Sequence, residues 1–379
     1  MKIKNCHIKN FTVFEDQEIE FCDGINVIIG ANGTGKSHLM KILYAMMQWL
    51  TSENVQQHSK DELDEMNSNN IFFSLLNGMF KPEDGNPSRL LRNKHDIAEI
   101  VLHTNQYQKK IVILKEEKDR VYNPNIRFYL DYDGTELGRH TLYLDYRSNI
   151  ECPPNAIGII IPPNDSLSIY PGFTASYEKR ELAFDQTYYD ICKALSAAPL
   201  KKKHVMLSNL IPDLESILEG EVIQKGDRFY VQSKNNERML ESNLLAEGHR
   251  KIATLLCLIL NGSLDQDTIL FWDEPEANMN PRLIKHIANV LRKLADAGVQ
   301  VFLATHDYLL TGELSIAAEY QTQPQVPVRF IGLSRMNDEP VTVQTGDTLA
   351  GLQNNPILEE FAAHYDRERL LFYETGAAV

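Results

Sequence analysis

The stretch GANGTGKSH, residues 30 to 38, follows directly on the apolar run Ile25, Val27, Ile28 and Ile29, and it limits what this chain can fold into. Gly30, Gly33 and Gly35 let the backbone curl, so that the N–H groups of the loop, those of Ala31, Asn32 and Thr34 included, point at one polyphosphate. Lys36 is spaced to reach the outer phosphates, and Ser37 to offer a hydroxyl to Mg²⁺. Beyond His38, the spacing of Leu39, Ile42, Leu43, Met46 and Met47 is that of an amphipathic helix, whose N-terminus favours anions. A glycine-rich turn with a solvated lysine is the plainer reading. The buried strand before the loop and the helix after it argue against that reading.

At 379 residues and 43% hydrophobic, the chain can bury one large core or two ordinary ones. A net charge of −14 argues against a surface that is basic throughout, so any DNA contact would use a local patch. Five cysteines (Cys6, Cys22, Cys152, Cys192, Cys257) are odd in number, and none forms a CxxC pair. Neither a disulfide framework nor a zinc site is indicated, and a reducing cytoplasm is expected. The longest apolar run, TLLCLIL from Thr254, is too short to span a bilayer, so no membrane partner is expected.

Along the chain, residues 2 to 21 alternate apolar and polar side chains and predict two strands meeting at a turn around Glu15 and Asp16. Residues 51–96 read as an insertion, polar and mobile first, then helical in IFFSLLNGMF before the turn cluster KPEDGNP. Residues 97–150 hold the β-rich segments IAEIVLHT, KIVILK, IRFYLDY and TLYLDY, expected to form an antiparallel subdomain. IGIIIPP is a continuous apolar run, expected as a buried strand. Residues 151–240 are expected to be mainly helical, with Pro212 kinking or starting a helix and a hairpin turning at Gly226-Asp227. Residues 241–310 give a helix opening at Gly248, then strand, helix, strand, the alternation of a parallel sheet. Residues 311–379 hold a strand pair and a last helix near 356 to 371.

The run Ile269 to Trp272 leads into Asp273 and Glu274. Carboxylates at the end of a central strand lie where open α/β sheets bind ligands. Asp273 there can hold Mg²⁺, and Glu274 can orient or deprotonate a water. A solvent-facing acidic strand end is the alternative for such a pair taken alone. A second apolar strand ends at Thr305, His306 and Asp307. Alone, His306 reads as a satisfied polar residue; after the acidic strand and a helix, it reads as part of the same site.

GANGTGKS, WDEPEANMNP and FLATHD resemble the phosphate loop, acidic strand with dimer loop, and switch histidine of ABC-type ATPase heads. The leader IKNFTVFEDQEIEFCDGINVIIGANGTGKS is most similar to the RecF and SMC branch. AEGHRK, WDEPEANMNP and THDYLL together look like bacterial stand-alone AAA/ABC-type ATPases of phage-defence operons, related to the ATPase part of OLD nucleases. The resemblance implies an α/β P-loop NTPase of ABC-head type: a mixed, mainly parallel sheet with helices, an antiparallel β subdomain and a helical insertion, all in one head over 1–379. It implies ATP and Mg²⁺ as ligands and a composite site between two heads. Carried over by residue, Lys36 and Ser37 bind phosphate and Mg²⁺, Asp273 the metal and Glu274 the water. His306 contacts the γ-phosphate, and Asn278 with Asn280 lies against the partner subunit. The signature LSGGQ aligns with Leu245, Ala246, Glu247, Gly248 and His249. Ala246 replaces the usual hydroxyl and Glu247 the first glycine, leaving Gly248 to supply backbone donors and His249 or Arg250 to supply charge. In place of the expected glutamine after a sheet strand, Asn164 or Asp165 stands nearby, with Asn164 taken as the candidate.

The expected function is slow ATP hydrolysis in a homodimer or higher homo-oligomer whose nucleotide state controls an effector, a nuclease or toxin from a neighbouring gene, in anti-phage defence. The tail after His306 shows no further carboxylate cluster, so a built-in nuclease is not expected. Two rivals are a RecF-like ATPase that clamps DNA and an ATP-bound scaffold with little turnover. The basic runs Lys201 to Lys203 and Arg89, Arg92, Lys94 read as solvated faces, with nucleic-acid contact as the alternative. Tyr170, Phe173, Tyr177, Tyr188 and Tyr189 read as packing, with base stacking as the alternative.

Overall fold

The computed structural model describes residues 1–51, 62–92, 95–105, 108–114, 142–145, 157–201, 207–234, 238–353 and 355–375. Strands β1 (Ile3–Phe11) and β2 (Phe14–Glu20) pair antiparallel. Their turn lies at Thr12 and Val13, not at Glu15 and Asp16, because Phe11 pairs with Phe14 and Lys9 with Asp16. Thr12 takes a left-handed backbone (φ 48°) that permits so tight a reversal, which leaves Glu15 and Asp16 as exposed strand positions.

β3 (Ile25–Gly30) runs buried throughout into the loop, and helix α1 (Lys36–Thr51) follows. Helix α2 (Glu62–Phe80) begins inside the polar stretch expected to be mobile. It folds onto α1 through the Trp49–Phe72 ring contact, and Phe72, Leu76 and Met79 enter the core. Residues 52–61 lie outside the described residues. β4 (Ile97–Thr104), β5 (Gln108–Leu114) and β6 (Leu142–Asp145) extend the first pair into one antiparallel sheet of order β2-β1-β4-β5-β6. The N-terminal strands therefore share a sheet with the 97–150 segments; IRFYLDY lies outside the described residues.

β7 (Gly158–Ile161) is buried, and helices α3 (Phe173–Lys179), α4 (Gln186–Leu195) and α5 (Ile211–Leu218) follow. Pro212 stands in the first turn of α5, where its missing N–H costs nothing. β8 (Gly220–Lys225) and β9 (Arg228–Ser233) form the hairpin turning at Gly226 and Asp227, and β10 (Met239–Glu241) adds a third strand. Helix α6 (Glu247–Leu260) starts one residue before Gly248, with Ala246 as its N-cap. β11 (Ile269–Asp273), α7 (Pro281–Asp296) and β12 (Gln300–Thr305) continue the alternation. Helix α8 (Tyr308–Glu319), β13 (Val328–Ser334), β14 (Thr342–Gly346) and α9 (Pro356–Thr375) complete the chain.

The second large sheet has the order β14-β13-β3-β12-β11-β7. All its pairings are parallel except β13 with β14, so the C-terminal strand pair is part of the same sheet as the phosphate loop. Its strands read as near-continuous apolar runs because both faces are covered. Val27, Ile29, Leu270, Trp272, Val301 and Leu303 face a core built with α4, α6, α7 and α8. Ile28, Phe271, Phe302 and Ala304 face α1, α2 and the antiparallel sheet. The two sheets are tied by Gln300, fully buried, whose amide accepts from Ile3 N at 2.8 Å and donates to the carbonyls of Ile3 and Cys22, each at 2.8 Å. Those bonds satisfy the Gln300 amide, its oxygen and its N–H groups alike. Among the described residues, no helix is long and apolar enough to cross a membrane, and Cys6, Cys22, Cys192 and Cys257 are free.

Candidate nucleotide site

Because β3, β12 and β11 are parallel neighbours, their C-terminal ends come out side by side, and each delivers part of the site. β3 delivers the loop. Gly33 and Gly35 adopt φ of 81° and 95°, which only glycine takes without strain. Gly30 has a different reason to lack a side chain: a Cβ there would lie 2.5 Å from the Leu333 carbonyl and 2.7 Å from Thr34 Oγ1. Ala31, Asn32 and Gly33 are exposed at the loop crest. Thr34 Oγ1 donates to Ala31 O at 2.9 Å, bracing the curve from within.

Lys36 is buried, and its ammonium donates to the carbonyls of Gly30 (2.8 Å) and Ala31 (3.2 Å). Burial lowers its pKa, while Glu274, Asp273 and Glu276 nearby oppose that shift. Ser37 Oγ donates to Asp273 Oδ2 at 2.8 Å. Burial pushes the Asp273 carboxyl above the usual carboxylate range, and the hydrogen bond from Ser37 pulls it back. Hydroxyl and carboxylate oxygens are the donor set of a hard divalent cation, so this pair fits Mg²⁺. His38 turns elsewhere: its ring meets Phe80 edge-on at 5.6 Å, and its Nδ1 is buried with no partner among the described residues.

Glu274, one residue past β11, takes a left-handed backbone (φ 48°). Its N–H donates to Ala304 O at 2.8 Å, and its carbonyl accepts from Ala277 N at 3.1 Å. Its partly exposed carboxylate lies 3.3 Å from His306 Nδ1, just past the end of β12. The structure thus brings together Lys36, Ser37, Asp273, Glu274 and His306. Asn278 is exposed with φ 61°, and Asn280 Oδ1 caps α7 by accepting from Arg282 N at 2.9 Å.

Gly248 is buried, and a Cβ there would stand 3.0 Å from Met279 Cγ, so it lets α6 close onto the loop after β11. Arg250 is committed within the chain, its Nε 2.7 Å from Asp165 Oδ2 and its Nη1 2.6 Å from Leu245 O. That leaves His249 as the half-buried basic side chain at the start of α6. Asp165 also accepts from Leu167 N and is buried, whereas Asn164 is exposed and hydrogen-bonds Tyr188. Tyr188 was absent from the residues expected at the site. Asp273 is close enough to act on its hydroxyl electrostatically, though burial is the larger cause of its raised pKa. Its helical spacing alone reads as core, and only the fold brings it beside Asn164. The other aromatics pack on one another: Tyr170 on Phe229, Phe173 on Phe184, and Tyr177 on Tyr189 with ring centroids 5.0 Å apart. Of the basic runs, Arg89 pairs with Glu83 and Arg92 donates to Val13 O and Asp338 O. Lys94, Lys202 and Lys203 lie outside the described residues.

Residues 1–143 match the family described as AAA ATPase domain, and residues 200–312 the family described as AAA domain, putative AbiEii toxin, Type IV TA system. Over 69 residues the chain is 33% identical to the DNA replication and repair protein RecF of Desulfitobacterium hafniense, a stretch that is 18% of each protein. Over 62 residues it is 37% identical to the DNA double-strand break repair Rad50 ATPase of Pyrococcus abyssi, 16% of this chain and 7% of that one. The chain thus spans less than a fifth of the length of these curated relatives. Among solved structures, an SMC head bound to the C-winged helix domain of ScpA aligns over 92% of this chain and 98% of its own, at 15% identity and a TM-score of 0.47.

Proposed function

We propose, from the premise that this chain carries an ATPase domain of the AAA/ABC type related to DNA-repair ATPases, that it binds ATP·Mg²⁺, hydrolyses it slowly and changes its self-association with the nucleotide. The observation that carries this reading is the convergence of Ser37 with Asp273 and of Glu274 with His306, at 2.8 Å and 3.3 Å, on neighbouring strand ends beside the loop. Loop N–H groups and Lys36 hold the phosphates, and Lys36 exchanges its loop carbonyls for phosphate oxygens as it does so. Ser37 and Asp273 hold Mg²⁺, which when bound neutralises phosphate charge. Glu274 orients the attacking water and accepts its proton, and His306, 3.3 Å away, steadies that carboxylate and reaches the γ-phosphate.

A face-to-face pair of chains suits the exposed groups. Ala31, Asn32, Gly33, Asn278 and His306 are exposed, as are Ala246 at the cap of α6 and Leu244 before it, the last at 71%. Ala246 brings no hydroxyl to a partner's nucleotide, which leaves backbone N–H groups at the start of α6 and His249 for that role. Nucleotide binding favours the closed pair, hydrolysis releases it, and an effector, a nuclease or toxin, reads the difference in a cytoplasmic anti-phage role. The toxin–antitoxin wording of the family matched at 200–312 supports this reading over a purely structural one.

A RecF-like DNA clamp is the second reading, supported by the RecF and Rad50 identities. The intramolecular commitment of Arg89 and Arg92 weighs against a basic track there. The test is the mass in solution of the unaltered chain, Lys36→Ala and Glu274→Gln, each with and without ATP·Mg²⁺, with phosphate release in parallel. The expected result is an ATP-dependent larger species that Glu274→Gln locks and Lys36→Ala cannot form. Equal masses in all arms would overturn the switching reading.

A further inference from the structure

The second turn of α6 opens on a buried lysine, Lys251, that the nucleotide site has not so far involved. Lys251 is 2% exposed, and its Nζ donates to the carbonyl oxygen of Glu274 at 2.8 Å. An ammonium has three donors and no acceptor, and burying one is costly unless it is compensated. Burial does lower the Lys251 pKa, and Glu276, Glu247, Glu274 and Asp165 around it oppose that shift. A charge kept in such a place points to a task that an apolar side chain of the same length cannot perform.

The task is legible in the backbone it touches. Glu274 sits in the left-handed region at φ 48°, which a non-glycine residue adopts at a cost and keeps only where neighbours over-determine it. Three hydrogen bonds do so. The peptide before Glu274 is pinned by its N–H on Ala304 O, and the peptide after it by Ala277 N and Lys251 Nζ on one carbonyl. With both peptides fixed, only the side-chain torsions of Glu274 remain, and its carboxylate stands at His306. Two residues on, Glu276 is buried and bonded through Oε1 to Thr305 Oγ1 at 2.5 Å, while Thr305 Oγ1 accepts from Asp307 N at 3.0 Å. The turn after β11 is thus clamped to α6 on one side and to the strand end bearing His306 on the other.

We infer that Lys251 is a positioning residue for Glu274, a strut from α6 that sets the direction of the Glu274 carboxylate and so makes the hydrolytic step sensitive to how α6 lies. The inference rests on the reading of Glu274 as the residue that activates water. Lys251 touches a peptide oxygen and no reacting atom, so its effect passes through Glu274 alone.

A double-mutant cycle in the full chain tests this. Phosphate release and ATP binding are measured for the unaltered chain, Lys251→Met, Glu274→Gln and the double variant. The expected result is a fall of about 10- to 100-fold in kcat for Lys251→Met, the scale of a small misplacement of a reacting group. KM and Kd for ATP stay within about two-fold, and Lys251→Met adds less than about two-fold to the loss in Glu274→Gln. The same fold-loss in both backgrounds, or a loss of ATP binding, would overturn the inference and leave Lys251 a core residue. Lys251→Arg, which keeps the charge and the donor, should recover most of the rate; Lys251→Gln, which loses the charge and the reach to the Glu274 carbonyl, replaces Lys251→Met in the cycle if the latter does not fold. Absence of turnover in the unaltered chain would remove the hydrolysis reading before any variant is compared, which separates the two failures.

Discussion

Ser37 Oγ donates a 2.8 Å hydrogen bond to Asp273 Oδ2, joining the first turn of α1 to the end of β11. Two residues far apart in the chain become one oxygen-donor pair because β3 and β11 flank β12 in parallel register. Removing Mg²⁺ with a chelator should therefore abolish most of the rise in melting temperature that ATP produces. Ser37→Ala and Asp273→Asn should each mimic that loss with Mg²⁺ present, as read by thermal shift at fixed nucleotide concentration.

Glu274→Gln keeps the size and the backbone contacts of the residue and removes only its basicity. Phosphate release should fall by about 10²- to 10⁴-fold while ATP still binds. His306→Ala should fall less than Glu274→Gln, because it removes a group that steadies the carboxylate at 3.3 Å and leaves the base itself in place. Single-turnover kinetics compare the two.

Gly30→Ala should destabilise the fold as well as the site. Its Cβ would meet the Leu333 carbonyl at 2.5 Å, and that carbonyl belongs to the strand paired with β3, so neither side can give way freely. The expected cost is about 1–3 kcal/mol, together with loss of the ATP-induced thermal shift. Urea denaturation without nucleotide isolates the first effect from the second.

Asp190 accepts from Tyr44 Oη at 3.0 Å, and burial raises its carboxyl to about 6, with the hydrogen bonds from Tyr44 and Gln186 opposing the rise. An unfolded aspartate titrates near 3.9, so between about pH 4 and 6 the folded chain binds more protons and loses stability as pH rises. The penalty stays in full above pH 6. Asp190→Asn, which still accepts from Tyr44, should gain about 1–2 kcal/mol at pH 7.5, less than the full shift implies because the group is only half-buried. It should gain nothing near pH 4, and denaturation at the two pH values decides.

The loop, the acidic strand end and the strand before His306 were legible in the sequence because each is a short-range pattern, four or more apolar residues running into groups with a single chemical use. The mainly parallel sheet followed from the same alternation. The turn of the first hairpin was not legible, since Thr12 holds it without glycine or proline while Glu15 and Asp16 look like turn residues and lie in β2. The polar start of α2 hid a helix whose stability comes from packing on α1, visible only once Phe72 meets Trp49. The contacts that organise the site from behind, Arg250 on Asp165, Tyr188 on Asn164 and Lys251 on the Glu274 carbonyl, join segments with no local relation. In the sequence Arg250 reads as a source of charge for the site and Lys251 has no role; only the fold pairs the first with Asp165 and buries the second.

β3, which carries the phosphate loop, has β12 on one side and β13 on the other, so both its partners come from residues 300–334, far along the chain. A chain being synthesised carries the loop sequence well before the strands that pair with β3, within residues 300–334, have emerged. Such late, long-range strand pairing is slow and leaves apolar edges open. The loop should therefore acquire its backing strands, and with them a rigid phosphate cradle, only once the sheet has closed on β3 from both sides.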